Sequence, residues 1–462
     1  MAAPQPLCHT FPSDEDLRGR RVLVMGLGLF GGGAAAVRFL IGRGASVLVT
    51  DLRDESELAG TLAGLDDLAF DRVLGQHRER DFRDADLIVV NPGVSPGSPW
   101  LQRARQDGVP LSSEVGLCLS RLRAGLVLVT GSKGKSTTTT LIHEMLRVSG
   151  RRSVLGGNIG ISLLGQVDQL ESDDLAVFEI SSFQLEQLSG LALSPRVAVI
   201  TNLFPVHLDR HGSFEAYCAV KRRALEGARA VVLNHGNPHV RRFAAEPIGD
   251  ISWFSGASRP PHGLYLEERK VVEVDGEPVL SSAELKLPGR HNLENVMAAL
   301  LAVERLDGDR QAALSAARAF PGVPHRLERI GSRAGVSFFN DSIATAPEST
   351  RAALLALEGP VILIAGGHES GCELDDLARL ISKRVRLLVT VGQSGPRLAG
   401  AVRREAPDFP CRIAATFDEA VALALEHAQP GELVVLSPAF PSYDMFRNFQ
   451  ERGERFRELA LG

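Results

Sequence analysis

Short, continuous apolar runs recur along the chain: Val22–Met25, Leu87–Val90, Leu126–Val129, Val197–Ile200, Val361–Ile364, Leu387–Val391 and Leu433–Leu436. Runs of this length, rich in branched residues and without polar alternation, predict strands covered on both faces, as in a parallel sheet. Ala-, Leu- and Arg-rich amphipathic stretches separate most of them, among them Ala34–Arg43, Thr137–Val148 and Thr350–Leu357. Strand alternating with helix predicts α/β architecture. The first series ends near Pro110–Ser113, and a second begins with the strand before Gly131. Inside the second, a Pro-rich stretch at Arg259–His262 precedes Val271–Leu280, where Asp275-Gly276 between short apolar runs predicts a β-hairpin. Phe320-Pro321-Gly322-Val323-Pro324 is a linker signal. The expected domains are therefore 1–113, 114–322 and 323–462. No short-period repeat or low-complexity segment interrupts them.

Composition narrows the class. The 462 residues suit about three domains at roughly 150 residues each. An apolar share of 44% with 23% charged residues excludes a disordered chain, a collagen and a disulfide scaffold. The net charge of −5 argues against general binding to nucleic acid or anionic membrane, which needs concentrated basic charge. Cys8, Cys118, Cys218, Cys372 and Cys411 have no CxxC spacing and read as mostly buried thiols in a reducing compartment. No run reaches the ~18 apolar residues of a membrane helix, and Met1–Arg20 lacks the apolar core of a signal peptide. The expectation is a cytoplasmic protein.

Two glycine-rich turns carry the candidate chemistry. Gly26-Leu27-Gly28-Leu29-Phe30-Gly31 follows a strand and precedes a helix. Its glycines let the backbone approach a pyrophosphate at a helix N-terminus. Asp51 closes the next strand, at about the 20-residue distance of a ribose-binding carboxylate. Alone, this turn reads as an NAD site or another nucleotide site. The second turn, Thr130-Gly131-Ser132-Lys133-Gly134-Lys135-Ser136-Thr137, has the Gly-Lys-Ser end of a P-loop, with Val129 where the full pattern has its first glycine. Such amides wrap phosphates, Lys135 neutralises them and Ser136 is placed for Mg²⁺. A dehydrogenase explains the first turn and not the second; a plain ATPase explains the second and not the first. Glu179 at the end of Leu175–Ile180 is placed for Mg²⁺, and His207 and Asp209 follow the next strand. Lys221, read by itself, is a helix-surface lysine. Asn292 and Asn295 lie one helical turn apart, so both amides are placed to reach one ligand. Arg326 follows the linker, placed to bridge two domains.

In this order the motifs resemble the Mur ligases, ATP-dependent amide-bond ligases of bacterial cell-wall precursor synthesis. The likeness runs over nearly the whole chain. It is most specific in the Gly-Lys-Ser turn, Gly156-Gly157-Asn158-Ile159-Gly160, Glu179-Ile180-Ser181-Ser182-Phe183-Gln184-Leu185-Glu186, Leu436-Ser437-Pro438-Ala439 and Phe446-Arg447-Asn448-Phe449. The N-terminal turn resembles that of the family's D-glutamate-adding branch. The resemblance implies an N-terminal Rossmann-like UDP-binding domain, a central P-loop ATPase-like parallel sheet and a C-terminal Rossmann-like domain. It turns the first site into a UDP site: Gly28, Phe30 and Gly31 for the diphosphate, Asp51 and Leu52 for the uracil region, Asn91-Pro92-Gly93 for the opposite wall, Asn158 and His207 for the muramoyl arm. It implies that Gly131, Ser132, Lys133, Gly134, Lys135, Ser136 and Thr137 hold the ATP phosphates, and that Asn292, Asn295, Arg326 and Asp341 hold the adenosine part. Lys135, Glu179, His207 and Lys221 become the catalytic set. Two Mg²⁺ ions are implied, one on Ser136 and Glu179, one on His207 and a CO₂-derived carbamate of Lys221. Thr345, Ser442 and Phe449 would surround the incoming amino acid. The implied substrates are UDP-N-acetylmuramoyl-L-alanine, D-glutamate and ATP, handled by a monomer.

Three positions depart from the family pattern. Lys133 stands where asparagine is usual. Ile343, in Asn340-Asp341-Ser342-Ile343-Ala344-Thr345, and Ser370, in Gly366-Gly367-His368-Glu369-Ser370, stand where lysines are expected near the amino-acid carboxylates. Arg351 and His368 are the nearest cations in sequence to replace them. The rival readings are a related ligase adding another amino acid, or a UDP-sugar-binding paralogue that has lost catalysis.

Overall fold

The apolar runs gather into three sheets in the computed structural model, which describes residues 9–29, 31–246, 248–287, 289–369 and 371–462. The first sheet comprises β1 (Arg21–Met25), β2 (Ser46–Asp51), β3 (Asp71–Leu74), β4 (Leu87–Val90) and β5 (Leu111–Ser112), in the order β3-β2-β1-β4-β5. All its pairings are parallel, with Val24 opposite both Val49 and Val89. Strand order reverses between β1 and β4. A doubly wound sheet opens its ligand crevice at such a reversal, outside the carboxyl ends of the strands. The Gly26–Gly31 turn and the Asn91–Gly93 loop flank that crevice.

The central sheet repeats the plan on a larger scale. Its strands are β6 (Gly125–Thr130), β7 (Ser153–Gly157), β8 (Leu175–Glu179), β9 (Val197–Ile200), β10 (Ala230–Asn234), β11 (Asp250–Ser255), β12 (Leu264–Glu267), β13 (Lys270–Glu273) and β14 (Pro278–Ser281). Their order is β14-β13-β12-β11-β10-β9-β6-β8-β7, parallel from β7 through to β12 and antiparallel from β12 to β14. Every residue of β6 is buried, the physical reason for its unbroken apolar run. The predicted hairpin is β13–β14, turned by Gly276 at φ +97. The helix Lys135–Val148 packs against the helix Arg290–Glu304 on one face of this sheet.

The third sheet has β15 (Glu328–Arg333), β16 (Val336–Asn340), β17 (Val361–Ala365), β18 (Val385–Thr390), β19 (Cys411–Ile413) and β20 (Leu433–Leu436), in the order β15-β16-β20-β17-β18-β19. Only β15 runs antiparallel to its neighbour. The chain divides at Phe320–Pro321 into two compact units, the first holding two sheets and the second holding the third. Cys118 and Cys411 are buried, Cys218 and Cys372 half-buried, and all four are free thiols; Cys8 lies outside the described residues. Among those residues no helix is long and apolar enough to cross a membrane.

Candidate active site

The second glycine-rich turn is held from outside, by residues of neighbouring strands. Gly131 has φ +146, and a Cβ there would meet Thr201 Oγ1 at 2.0 Å; Gly134 has φ +82, and a Cβ there would meet Asn295 Oδ1 at 2.4 Å. Glycine is required at both positions. Thr201 Oγ1 donates to Lys133 O (2.6 Å), Asn202 Nδ2 donates to the same oxygen (3.1 Å), and Lys133 N donates to Asn202 Oδ1 (2.9 Å). Ser132 Oγ hydrogen-bonds the Tyr217 hydroxyl at 2.8 Å and accepts from Phe204 N at 2.9 Å. The amides at the start of the helix Lys135–Val148 are left to face an anion. Ser136 is buried there, Lys135 is half-buried with Nζ donating to Ser132 O at 3.2 Å, and Thr137 is half-buried.

Beside this turn lies a buried charge cluster. Glu179 ends β8, opposite Val129 of β6, and is 1% exposed. Its Oε1 accepts from Asn158 Nδ2 at 2.9 Å, while its Oε2 is buried with no hydrogen-bond partner. A buried carboxylate oxygen without a donor is costly to keep, and a cation there removes the cost; Mg²⁺ fits this oxygen. Lys221 is 2% exposed, which corrects its reading as a surface lysine. Its Nζ donates to Thr130 Oγ1 at 2.8 Å, and Thr130 Oγ1 donates to Ile180 O at 2.7 Å. Burial drives the Lys221 amine well below the usual lysine range; Lys135 adds to that and Glu179 opposes it. A neutral buried amine is the form that adds CO₂, so the residue also fits a carbamate. His207 follows β9 on an exposed turn with φ +55, a conformation L-residues hold only under constraint. Desolvation of its ring lowers its pKa, Asp209 opposes that, and the charges of His211 and Lys135 add to the lowering. Among the described residues no group of three or more His, Cys, Asp or Glu side chains converges to hold a metal.

Asn292 and Asn295 lie at the start of the helix Arg290–Glu304, as the spacing predicted. Asn295 Nδ2 donates to Asn292 Oδ1 at 3.1 Å, and Thr138 Oγ1 donates to Asn295 Oδ1 at 3.3 Å. The Asn295 amide thus lies against the glycine turn, and Asn292 holds it there.

In the first sheet, Asp51 is 3% exposed. It accepts from Gly28 N (3.2 Å) and Arg53 N (3.0 Å), which ties the turn to the end of β2. Asn91 packs so closely on the turn that a Cβ on Gly26 would lie 2.8 Å from its Cβ, and its Oδ1 accepts from Gly93 N at 2.9 Å. Leu52 is 68% exposed, an apolar surface beside the crevice. Gly31 caps the helix Gly32–Gly42 with φ +83. Phe30 lies outside the described residues.

In the second unit, Asp341 is buried and its carboxyl is pushed up to about 7 by that burial, against hydrogen bonds from Ser437 Oγ (2.7 Å) and Leu327 N (3.0 Å) and the charge of the exposed Arg326. Ser442 is buried with its Oγ unpartnered. Thr345 and Phe449 are half-buried, the Phe449 ring standing edge-on to His325 at 5.9 Å. Arg351 pairs with Asp376 at 3.6 Å, and His368 lies edge-on to Tyr443 at 6.3 Å. Ser370 lies outside the described residues.

Sequence reasoning passed over Arg452. It is 1% exposed and donates to Ser342 Oγ (3.0 Å), Ser342 O (2.9 Å) and Phe440 O (3.1 Å), and burial lowers its guanidinium to about 9. Ser342 Oγ donates in turn to Phe449 O at 2.7 Å. Arg452 thus joins three segments proposed to meet the amino acid. The available signal was its place on the same helix face as Phe456 and Ala460, where a charge is out of pattern.

Residues 20–113 match the family description "Mur ligase MurD-like, N-terminal domain", residues 129–303 "Mur ligase middle domain" and residues 325–440 "Mur ligase, glutamate ligase domain". A UDP-N-acetylmuramoylalanine--D-glutamate ligase of Symbiobacterium thermophilum is 40% identical over 448 residues, covering 95% of this chain and 97% of the relative. One of Roseiflexus sp. is 41% identical over 461 residues, covering 96% and 99%. Among solved structures, the UDP-N-acetylmuramate-alanine ligase MurC of Thermotoga maritima superposes with a TM-score of 0.62 at 19% identity over 95% of this chain and 98% of its own. A pseudomurein peptide ligase type C of Methanothermus fervidus gives 0.54 at 18% over 96% and 99%. The structures speak for the fold, and the relatives, matched across nearly their full length, speak for descent: the chain belongs to the Mur ligase family.

Proposed function

We propose that this protein joins D-glutamate to UDP-N-acetylmuramoyl-L-alanine in an ATP-dependent, ADP-forming reaction of peptidoglycan precursor synthesis. The observation that carries the reading is the buried grouping of Glu179, Lys221 and Thr130 beside the glycine turn with Lys135, in a chain about 40% identical to D-glutamate ligases. Residues 1–113 hold the UDP-linked substrate, 114–322 hold ATP and 323–462 hold the amino acid. Gly28, Phe30, Gly31, Asp51, Leu52 and Asn91–Gly93 line the UDP site, and Asn158 and His207 meet the muramoyl arm. Asn292, Asn295, Arg326 and Asp341 take the adenosine. Thr345, Ser442 and Phe449 take D-glutamate. The protein works as a monomer in the ATP-supplied cytoplasm.

The substrate carboxylate attacks the γ-phosphorus of ATP and ADP leaves. The amino-acid amine then attacks the acyl carbon, phosphate leaves with the bonding pair, and the amine nitrogen gives up its proton. Both steps bring anions together. The amides at the start of the helix Lys135–Val148 and the Lys135 cation offset that repulsion by being fixed in place before the charge arrives. Ser136, Glu179, His207 and carbamylated Lys221 would hold Mg²⁺, which when bound adds charge neutralisation at the phosphates. Thr130, whose Oγ1 accepts from Lys221 Nζ at 2.8 Å, fixes the buried Lys221 side chain in place.

ADP release by the purified protein with ATP, Mg²⁺ and UDP-N-acetylmuramoyl-L-alanine, against a panel of D- and L-amino acids, tests the reading. D-glutamate is expected to give the highest rate. Ile343 favours a second reading, in which another amino acid is the substrate; a rate that depends on that amino acid instead would establish it.

A further inference from the structure

Arg210 joins the two sheets of the first unit at a point no motif marked. It lies in the one-turn helix Leu208–His211, three residues past His207, and its side chain is 9% exposed. Nη1 donates to Pro92 O at 2.8 Å, in the loop after β4. Nε donates to Glu186 Oε2 at 2.9 Å, and Nη2 stands 2.8 Å from the same oxygen. The guanidinium carbon lies 4.0 Å over the centre of the Phe183 ring. That ring meets the edge of His207 at 5.0 Å and His211 at 6.0 Å. His211 closes the circuit, with Nδ1 3.0 Å from Glu186 Oε1 and Nε2 3.1 Å from Ser182 Oγ. Burial pushes the Glu186 carboxyl up, and the bonds and charges of His211 and Arg210 more than reverse this, holding it below the usual range.

We infer that Arg210 is a positioning residue for the UDP-linked substrate: it fixes the Asn91-Pro92-Gly93 wall of the first sheet relative to His207 of the central one. The inference rests on the reading above that this wall and His207 meet one substrate. A planar guanidinium is needed. It serves a carbonyl and a carboxylate at once while stacking on a ring, which a lysine, as a compact point charge, does not do. The strained His207 turn depends on that stack, because Phe183 is the ring packed against its imidazole. Gln187 makes another tie between the same sheets, with Nε2 donating to Val90 O at 3.2 Å. Its amide bond reaches neither Phe183 nor His207, so it serves as a control for general loosening.

The test uses the full-length protein and its variants Arg210→Met, Arg210→Lys and Gln187→Ala. KM is measured for each substrate, and UDP-N-acetylmuramoyl-L-alanine binding is measured directly without ATP or amino acid. Arg210→Met keeps the stem over Phe183 and loses the donors. It is expected to raise KM and Kd for the UDP-linked substrate about tenfold while KM for ATP stays within about twofold. Arg210→Lys should fall between Met and wild type. Unchanged substrate binding in Arg210→Met, an equal rise in the ATP KM, or the same pattern in Gln187→Ala would each overturn the inference. Wild-type protein that binds the UDP-linked substrate but releases no ADP with D-glutamate would overturn the functional reading instead, and the binding comparison would still decide the role of Arg210.

Discussion

Replacing Gly157 by alanine probes how tightly the acidic centre is built. Gly157 ends β7 with φ +94, and a Cβ there would stand 2.1 Å from Glu179 O and 2.7 Å from the Phe178 ring. Carbon contacts settle at about 3.5–4.0 Å, so the strands must part by more than about 1 Å. The β8 backbone cannot yield freely, because it is buried along its length and paired on both sides. A side chain held at such a φ costs about 1–3 kcal/mol. Parting the strands also breaks the bond from Asn158 N to Glu179 O (2.8 Å), worth about 0.5–1.5 kcal/mol. It strains the bond from Asn158 Nδ2 to the Glu179 carboxylate (2.9 Å), worth about 1.5–3 kcal/mol. The expected destabilisation is about 3–5 kcal/mol, and a displacement of about 1 Å at Glu179 should cost about a hundredfold in turnover. Urea unfolding and ADP release at saturating substrates measure the two effects. A variant with wild-type midpoint and wild-type turnover would refute the reasoning, because it would mean that β7 and β8 are free to separate there.

Three further outcomes are expected. Wild-type protein in ¹³C-bicarbonate should show a carbamate carbon that Lys221→Met lacks, and activity should fall in CO₂-depleted buffer; no signal together with undiminished activity would sink the carbamate. Asp341 titrates at about 7 when folded and near 3.9 when unfolded, so between about pH 4 and about pH 7 the folded state holds a proton the unfolded state releases. Stability of the second unit should therefore fall as pH rises through that window, and Asp341→Asn should flatten the curve; urea midpoints at each pH decide it. Ile343 is half-buried, and Ile343→Lys should lower the KM for D-glutamate; an unchanged KM would show that the anion is already fully compensated.

The sequence foretold the strands that are buried on both faces, since apolar, mostly branched residues dominate there. Leu87–Val90 is β4 to the residue, and Val197–Ile200 is β9. It was silent on β15, whose residues Glu328–Arg333 sit at an exposed edge and carry no apolar run. The glycine turns were legible because positive φ and close approach leave glycine no substitute. Lys221 was not: its helix also presents Tyr217 and Val220, and only the fold decides which side meets β6. The mutual bond of Asn292 and Asn295 was equally out of reach, since spacing gives proximity and not partners. Arg210 escaped notice because its meaning lies in a proline carbonyl more than a hundred residues away.

The place of β20 bears on how the protein is made. It is the last strand in sequence, yet it lies between β16 and β17. While the ribosome adds residues at about 5–20 per second, β16 and β17 wait until Leu433–Leu436 emerges. During that interval two apolar strands have open facing edges, the arrangement that invites pairing with another chain. A message broken before codon 433 would yield a first unit able to fold and a second that cannot close. Such fragments should be found in aggregates or bound to chaperones, not free.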